Sequence, residues 1–343
     1  MSIVDAWYRK SAWLWLLWPL SVLFTLLARQ RRSRLEKSRG NAAAAPPVIV
    51  VGNITVGGTG KSPFVIALVK LLQANGIRPA IITRGYGGNA PCYPFKVTET
   101  SSVEEAGDEA VMIGRSVSCP VLVDAKRVRA VEKLRQENSC DVIISDDGLQ
   151  HYAMARALEI VLIDGERLLG NGLCLPAGPL REPPSRLQEV DHVVVNGIEK
   201  DADITLAGIE RTSMQLRPTG WVNLRSGEQV ALPDLPLTST GLVHAIAGIG
   251  NPQRFFRTVQ SLGYAPLCHP FPDHYRFTAQ DLRFAAGHTV VMTYKDAVKC
   301  KSFAEADCWY LAIDAELTEE FRQRLLTDIR ERIATAKANR REI

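Results

Sequence analysis

A mostly parallel α/β sheet with helices on both faces is predicted for this chain by three observations. Short β-rich apolar runs alternate with amphipathic stretches from residue 48 onward. The first run ends in a glycine-rich turn that opens a helix, and a later run ends in two adjacent carboxylates. Composition supports a folded body, because 46% hydrophobic and 23% charged residues are ordinary for globular domains. The length of 343 residues suggests about two domains.

The chain begins with a leader of different character. Residues 1–40 carry eight Lys/Arg and two Asp/Glu, a net of +6, and hold Trp7, Trp13, Trp15 and Trp18. Residues 41–343 hold 33 basic and 35 acidic residues, a net of −2. A nucleic-acid partner is disfavoured, since the body lacks the cations that neutralise phosphates. Residues 12–28 contain no charge and would span about 25 Å as a helix, slightly short for a crossing. Pro19 is expected to kink that helix. The flanks differ from a signal peptide, because a basic run follows instead of a small-x-small cleavage site. A packed core helix competes with an anchor lying in the membrane surface. Trp at one end and Arg29, Arg31, Arg32 and Arg34 at the other favour the anchor, with the basic side cytoplasmic.

Residues 41–47 read as a linker. Strands follow at 48–51, 80–83, 120–123, 142–145, 160–163 and 192–196, with helices at 63–74 and 126–137 among them. From about 202 the pattern loosens into a strand pair, 204–216 and 221–232. A second α/β unit runs from 242: a strand, a Gly248-Ile-Gly250 turn, a helix at 253–262, strands at 289–293 and 309–313, and a charged helix near 318–334. The expected segments are therefore a leader (1–40), a nucleotide-binding domain (41–201), a strand-pair linker or hinge (202–240) and a smaller C-terminal α/β domain (241–343). Seven cysteines form no CxxC pair, which excludes a zinc ribbon and leaves reduced thiols of a cytosolic compartment as the ordinary reading.

Val51-Gly-Asn-Ile-Thr-Val-Gly-Gly-Thr-Gly-Lys-Ser62 is the strongest chemical signal. A strand ends, glycines turn the backbone so that its N–H groups converge, and a helix starts there. That is a P-loop, in which the residues Thr55, Val56, Gly57, Gly58, Thr59 and Gly60 cradle phosphate. Lys61 reaches the outer phosphates and Ser62 coordinates Mg²⁺. The architecture is thus P-loop NTPase-like. Thr55 stands where the first glycine of the pattern usually is, so Gly57 and Gly58 must supply the turn. The core also resembles Par/Min-type membrane ATPases, but Val56 stands where those carry an additional Lys.

Asp141-Val-Ile-Ile-Ser-Asp-Asp-Gly-Leu-Gln-His151 is the second signal. Two carboxylates, Asp146 and Asp147, leave the C-terminal edge of a buried strand, where open α/β sheets bind ligands. One can hold Mg²⁺ and the other orient a nucleophile. If the strand continues through both, they point to opposite faces. Weaker signals are Asp108, an ordinary helix cap in Gly107-Asp108-Glu109, and His274 in a turn, which could be a base, a phosphate contact or merely exposed. Arg84 and Arg181 lie in Gly/Pro loops and could clamp anions. In Thr293-Tyr-Lys-Asp296 the Lys and Asp are adjacent, so no guanine-reading element is inferred.

Taken in order, several stretches resemble the tetraacyldisaccharide 4′-kinases of Gram-negative bacteria. They are the P-loop, Thr83-Arg-Gly-Tyr-Gly87, Gly107-Asp-Glu109, Asp146-Asp-Gly-Leu-Gln-His151, Gly178-Pro-Leu-Arg-Glu182, Phe271-Pro-Asp-His274 and Thr293-Tyr-Lys-Asp-Ala-Val-Lys299. The resemblance covers nearly the whole chain. Members commonly have Glu where Tyr294 stands and Phe where Leu149 stands. It implies ATP- and Mg²⁺-dependent phosphorylation of the 4′-hydroxyl of a tetraacylated glucosamine disaccharide 1-phosphate, a lipid A precursor, at the cytoplasmic face of the inner membrane. It further implies Asp108 as general base aided by His274, Asp146 and Asp147 in the metal and phosphate site with His151 nearby, and Arg181 as charge stabiliser. No protein partner is implied beyond membrane lipids at the N-terminal helix. The competing function is a membrane-recruited P-loop ATPase or GTPase switch with no phosphorylated lipid product.

Overall fold

The computed structural model describes residues 3–37, 46–197, 206 and 208–341. The expected linker at 41–45 and the expected strand residues 204, 205 and 207 lie outside the described residues. The chain divides into two compact units, the first built from residues 1–84, 119–215 and 315–343, the second from 85–118 and 216–314.

In the first unit, a parallel sheet runs in the order Thr212–Asn223, His192–Asn196, Leu158–Asp164, Val48–Gly52, Val142–Ser145, Pro79–Thr83 and Val121–Val123. Every residue of Val48–Gly52, Pro79–Thr83, Val142–Ser145 and Leu158–Asp164 is buried. Successive strand residues face opposite sides, so the sheet is covered on both faces, as parallel sheets require. Gly52 lets the central strand meet the turn after Val142–Ser145, since a Cβ there would come within 2.6 Å of Leu149 Cβ. The Gly148 N–H then bonds the Val51 carbonyl at 3.1 Å. Leu149, a departure from the family pattern, is thus a core residue against the strand.

The leader folds as Ile3–Tyr8, a 3₁₀ stretch Ala12–Leu17, and a 20-residue α-helix Trp18–Lys37. Pro19 lies where the 3₁₀ stretch gives way to the α-helix, as the second residue of the latter. One side of the leader docks on the first unit. Ala6, Trp7 and Leu14 pack with Val56 and Leu175, Ser21 Oγ donates to the Cys174 carbonyl at 2.7 Å, and Arg32 pairs with Glu189 at 2.6 Å. The other side is open, with Trp15 64% and Leu16 82% exposed.

In the second unit, Leu267–Pro270, Val243–Ala247, Thr289–Thr293 and Cys308–Leu317 form a parallel sheet. Its core gathers Trp221, Phe255, Phe256 and Trp309. The expected strand pair is instead one long strand, Thr212–Asn223, with a two-residue antiparallel partner, Gln229–Val230. Tyr294 stacks on Tyr310 with centroids 4.4 Å apart, an aromatic packing role at a position where the family pattern differs.

The units do not follow consecutive segments. The Glu319–Arg341 helix joins the first unit through His192–Asp328 at 2.8 Å and Arg330–Asn75 at 3.1 Å. Residues 85–118 join the second, where Asp108 and Glu109 bond residues of the 273–295 region.

Candidate active site

The P-loop lies between the Val48–Gly52 strand and the Lys61–Ala74 helix, two residues earlier than the helix start expected from the sequence. Gly60 caps that helix at φ 89°, a left-handed conformation that side chains resist. A Cβ there would also meet Asn196 Nδ2 at 2.5 Å. Asn196 is buried and donates to the Thr59 carbonyl at 3.1 Å, and Asn53 Nδ2 donates to the Gly57 carbonyl at 3.2 Å. Side chains therefore hold the outer carbonyls of the loop.

Val56 contributes differently from the expectation that it cradles phosphate. The Val56 N–H donates to the Pro179 carbonyl at 2.9 Å, and the Arg181 N–H donates to the Ile54 carbonyl at 2.7 Å. Thr55 bridges Leu180 in antiparallel pairing. This short ladder spends the Val56 amide on structure and leaves the loop from Gly57 onward to face an anion. It also fixes Gly178-Pro-Leu-Arg-Glu182 beside the P-loop, a proximity hidden in the sequence by more than a hundred intervening residues.

The strand carrying the carboxylates ends at Ser145, so the alternation of faces does not apply to Asp146 and Asp147. Their environments separate them instead. Asp146 is fully buried, and Thr83 Oγ1 donates to its Oδ2 at 3.3 Å. Asp147 sits at φ 46° with Lys61 Nζ 3.4 Å from Oδ1 and Arg181 Nη1 3.7 Å from Oδ2. Burial pushes the Asp147 carboxyl up, but Lys61, Arg181 and Arg127 outweigh it and hold it below the ordinary value. The turn is braced by Arg127, which donates to both the Asp146 and Asp147 carbonyls at 2.9 and 3.0 Å. His151 is pushed down to about 4 by burial and by Arg127, Arg156, Arg31 and Arg84, so it is neutral at pH 7.

Two buried polar atoms at the loop, Asn53 Oδ1 and Thr59 Oγ1, have no hydrogen-bonding partner among the described residues. A phosphate-bearing ligand suits a cradle with spare polar atoms of this kind. Among the described residues no group of three or more His, Cys, Asp or Glu is arranged to hold a metal. The available donors, the Ser62 hydroxyl and the Asp146 carboxylate, instead suit Mg²⁺, which keeps waters and phosphate oxygens as its remaining ligands.

The second unit holds the other sequence-derived pair. Asp108 is the first residue of the Asp108–Ser116 helix; Gly107, not Asp108, is its cap. Asp108 Oδ1 accepts the Glu109 N–H at 2.8 Å, and Oδ2 lies 3.0 Å from His274 Nδ1. His274 occupies a turn at φ 58°, with its ring 4.8 Å from that of Tyr86. Burial pushes Asp108 up, while the His274 bond, Lys295 and Lys299 bring it below the ordinary value. The same bond raises His274 against burial and Lys295.

Sequence reasoning gave no individual role to Thr83, Arg127, Asn196 and Lys295. A polar residue closing an apolar strand was the signal for Thr83 and Asn196. Nothing local marks Arg127, whose two acceptors are backbone carbonyls about twenty residues away.

A family model described as tetraacyldisaccharide-1-P 4′-kinase matches residues 13–330. The chain belongs to this family. Among its relatives, a tetraacyldisaccharide 4′-kinase of Pseudomonas aeruginosa is 48% identical over 314 residues, 91% of this chain and 92% of the relative. One from Azotobacter vinelandii has the same identity and coverage. A crystal structure of LpxK from Aquifex aeolicus in complex with ATP superposes with a TM-score of 0.74 at 28% identity, covering 93% of this chain and 99% of that one. The α/β fold of a 4′-kinase and the ATP-dependent phosphotransferase class thus rest on relatives matched over nearly their whole length.

Proposed function

We propose that this family member transfers the γ-phosphate of ATP to the 4′-hydroxyl of a tetraacyldisaccharide 1-phosphate in lipid A biosynthesis. The observation that carries the residue assignment is the convergence of Lys61, Asp147 and Arg181 on one turn. Two cations around one carboxylate suit a site that receives a polyphosphate, because the carboxylate keeps them oriented until the anion competes for them.

The Gly57–Ser62 backbone and the helix N-terminus bind phosphate oxygens, and Lys61 and Arg181 offset charge on the transferred group. Ser62 and Asp146 would hold Mg²⁺, which supplies charge neutralisation on the phosphates when bound. Thr83 fixes the Asp146 carboxylate in orientation. Asp108, ionised at neutral pH, accepts the hydroxyl proton, and the His274 bond holds its carboxylate in place; such a base contributes about 10²–10⁴ in rate.

The leader serves as an anchor lying in the cytoplasmic leaflet of the inner membrane rather than crossing it. Contacts from Trp7, Ser21 and Arg32 hold its length against the folded body, which a crossing helix would have to leave. Membrane lipids and the acylated substrate are then its partners, and no protein partner is invoked. The competing ATPase switch loses ground on Val56, which replaces the additional Lys and is packed beneath the leader.

The test is transfer of labelled γ-phosphate to a purified tetraacyldisaccharide 1-phosphate in detergent, with Lys61→Ala as control. Labelled lipid with the wild type and none with the variant is expected. Label released only as free phosphate would sink the kinase reading.

A further inference from the structure

The 293–299 motif contains two charged residues with different surroundings. Asp296 is fully buried and structural: it accepts the Gly248 N–H at 3.0 Å and the Thr293 hydroxyl at 2.7 Å, and pairs with Lys299 at 2.7 Å. Lys295, one residue earlier, turns its ammonium into the group around Asp108 and His274. Its Nζ lies 3.1 Å from Glu109 Oε1, 3.4 Å from Asp273 Oδ1, 3.4 Å from His274 Nε2 and 3.9 Å from Asp108 Oδ2. The helix at 108–116 thus presents Asp108 and Glu109, the 271–275 turn presents Asp273, and the helix at 294–300 presents Lys295, with Lys299 acting on Asp108 electrostatically. Tyr86 covers the imidazole with its ring.

The two nitrogens of His274 therefore face opposite partners. An ionised carboxylate only accepts, so Nδ1 beside Asp108 carries a proton. Nε2 has Asp273 Oδ1 at 3.9 Å and the Lys295 ammonium nearer, at 3.4 Å; an ammonium only donates, so Nε2 presents its lone pair to Lys295. A proton on Nε2 would set an imidazolium against an ammonium at 3.4 Å.

We propose that Lys295 is a positioning residue of the phosphoryl-acceptor side: it holds His274 as the Nδ1–H tautomer and restrains a second proton at Nε2, so that no imidazolium beside Asp108 weakens its hold on the hydroxyl proton. Lys295 acts through His274 at 3.4 Å, beside its direct attraction for Asp108 Oδ2 at 3.9 Å. The proposal deepens the reading of Asp108 as base and rests on it. Its electrostatic direction agrees with the opposing influence of Lys295 on the imidazole, whose proton affinity the Asp108 bond raises first.

Lys295→Met removes the charge at similar length, and Lys295→Arg retains it. In ¹⁵N spectra of the imidazole, wild-type Nε2 is unprotonated once His274 has titrated. In Lys295→Met, His274 titrates higher by about one pH unit, the acid limb of kcat moves up with it, and kcat at pH 7 falls about tenfold. KM for ATP stays within about twofold, Arg restores most of the loss, and Lys295→Met adds no more than about twofold in a His274→Ala background. An unmoved His274 titration, or a loss that tracks only a lowered Tm, would overturn the proposal, as would losses that multiply in the His274→Ala background. Near-normal turnover of Asp108→Ala would instead remove the base assignment, while the imidazole titration still reports on Lys295.

Discussion

At Gly60 a single missing Cβ decides whether the loop can exist. The residue sits at φ 89° and leaves room for Asn196, whose amide reaches the Thr59 carbonyl. Gly60→Ala therefore suffers twice, from a left-handed backbone costing about 1 kcal/mol or more and from a contact at 2.5 Å with a buried amide. The expected outcome is loss of measurable ATP binding by calorimetry with a lowered Tm; ATP affinity within twofold of wild type would contradict this account of the loop. Lys61, Ser62, Asp146 and Asp147 were legible because a Gly-rich turn after a strand and carboxylates at a strand end have local spacing. Asp108 and His274 were weak taken singly, since 166 residues separate partners that lie 3.0 Å apart. Lys295 was visible only as one letter of a motif, because its meaning comes from three separate elements.

Elements with local periodicity lie where the sequence pattern places them, and elements decided by packing are shifted from it. The buried strands of the first unit fall within one or two residues of their expected positions, since an apolar run between turn residues is its own signal. The two-residue strand Gln229–Val230 and the edge strand Leu267–Pro270 have no such signal, being exposed or half-exposed. The turn following Val142–Ser145 carries a pH consequence. His151 there has its pKa brought from the usual 6.5 to about 4 by burial and four arginines. The unfolded chain thus binds the proton first as pH falls, so this group's stabilisation is complete above about 6.5 and is lost progressively toward 4. Asp108 and Asp147, lowered below ordinary carboxylate values, lose their contribution only in more acidic solution. Thermal melts at pH 7 and pH 5 isolate the histidine: His151→Asn should lose less Tm over that interval than the wild type. An equal loss in both would assign the acid sensitivity elsewhere.

For the whole molecule, the proposed anchoring rests on the undocked side of the leader. Among the described residues, Leu16, Leu23, Leu26 and Leu27 are exposed on the undocked side, while the opposite side is fastened to the first unit. Replacing Leu16 and Leu23 by Asp removes apolar surface worth about 3 kcal/mol in lipid, or about a hundredfold in partitioning. The double variant should leave anionic vesicles in flotation assays and keep its Tm and its activity on detergent-dispersed substrate. Unchanged flotation would return the leader to the status of a packing helix. Chain order adds a constraint of timing. Ser21 finds its acceptor 153 residues further on, at Cys174. During synthesis at about 5–20 residues per second, that partner emerges about 8–30 s after the helix. Throughout this interval the helix lacks the Cys174, Leu175 and Glu189 contacts that fasten its docked side, so that side stays incompletely covered until the second half of the unit has been made.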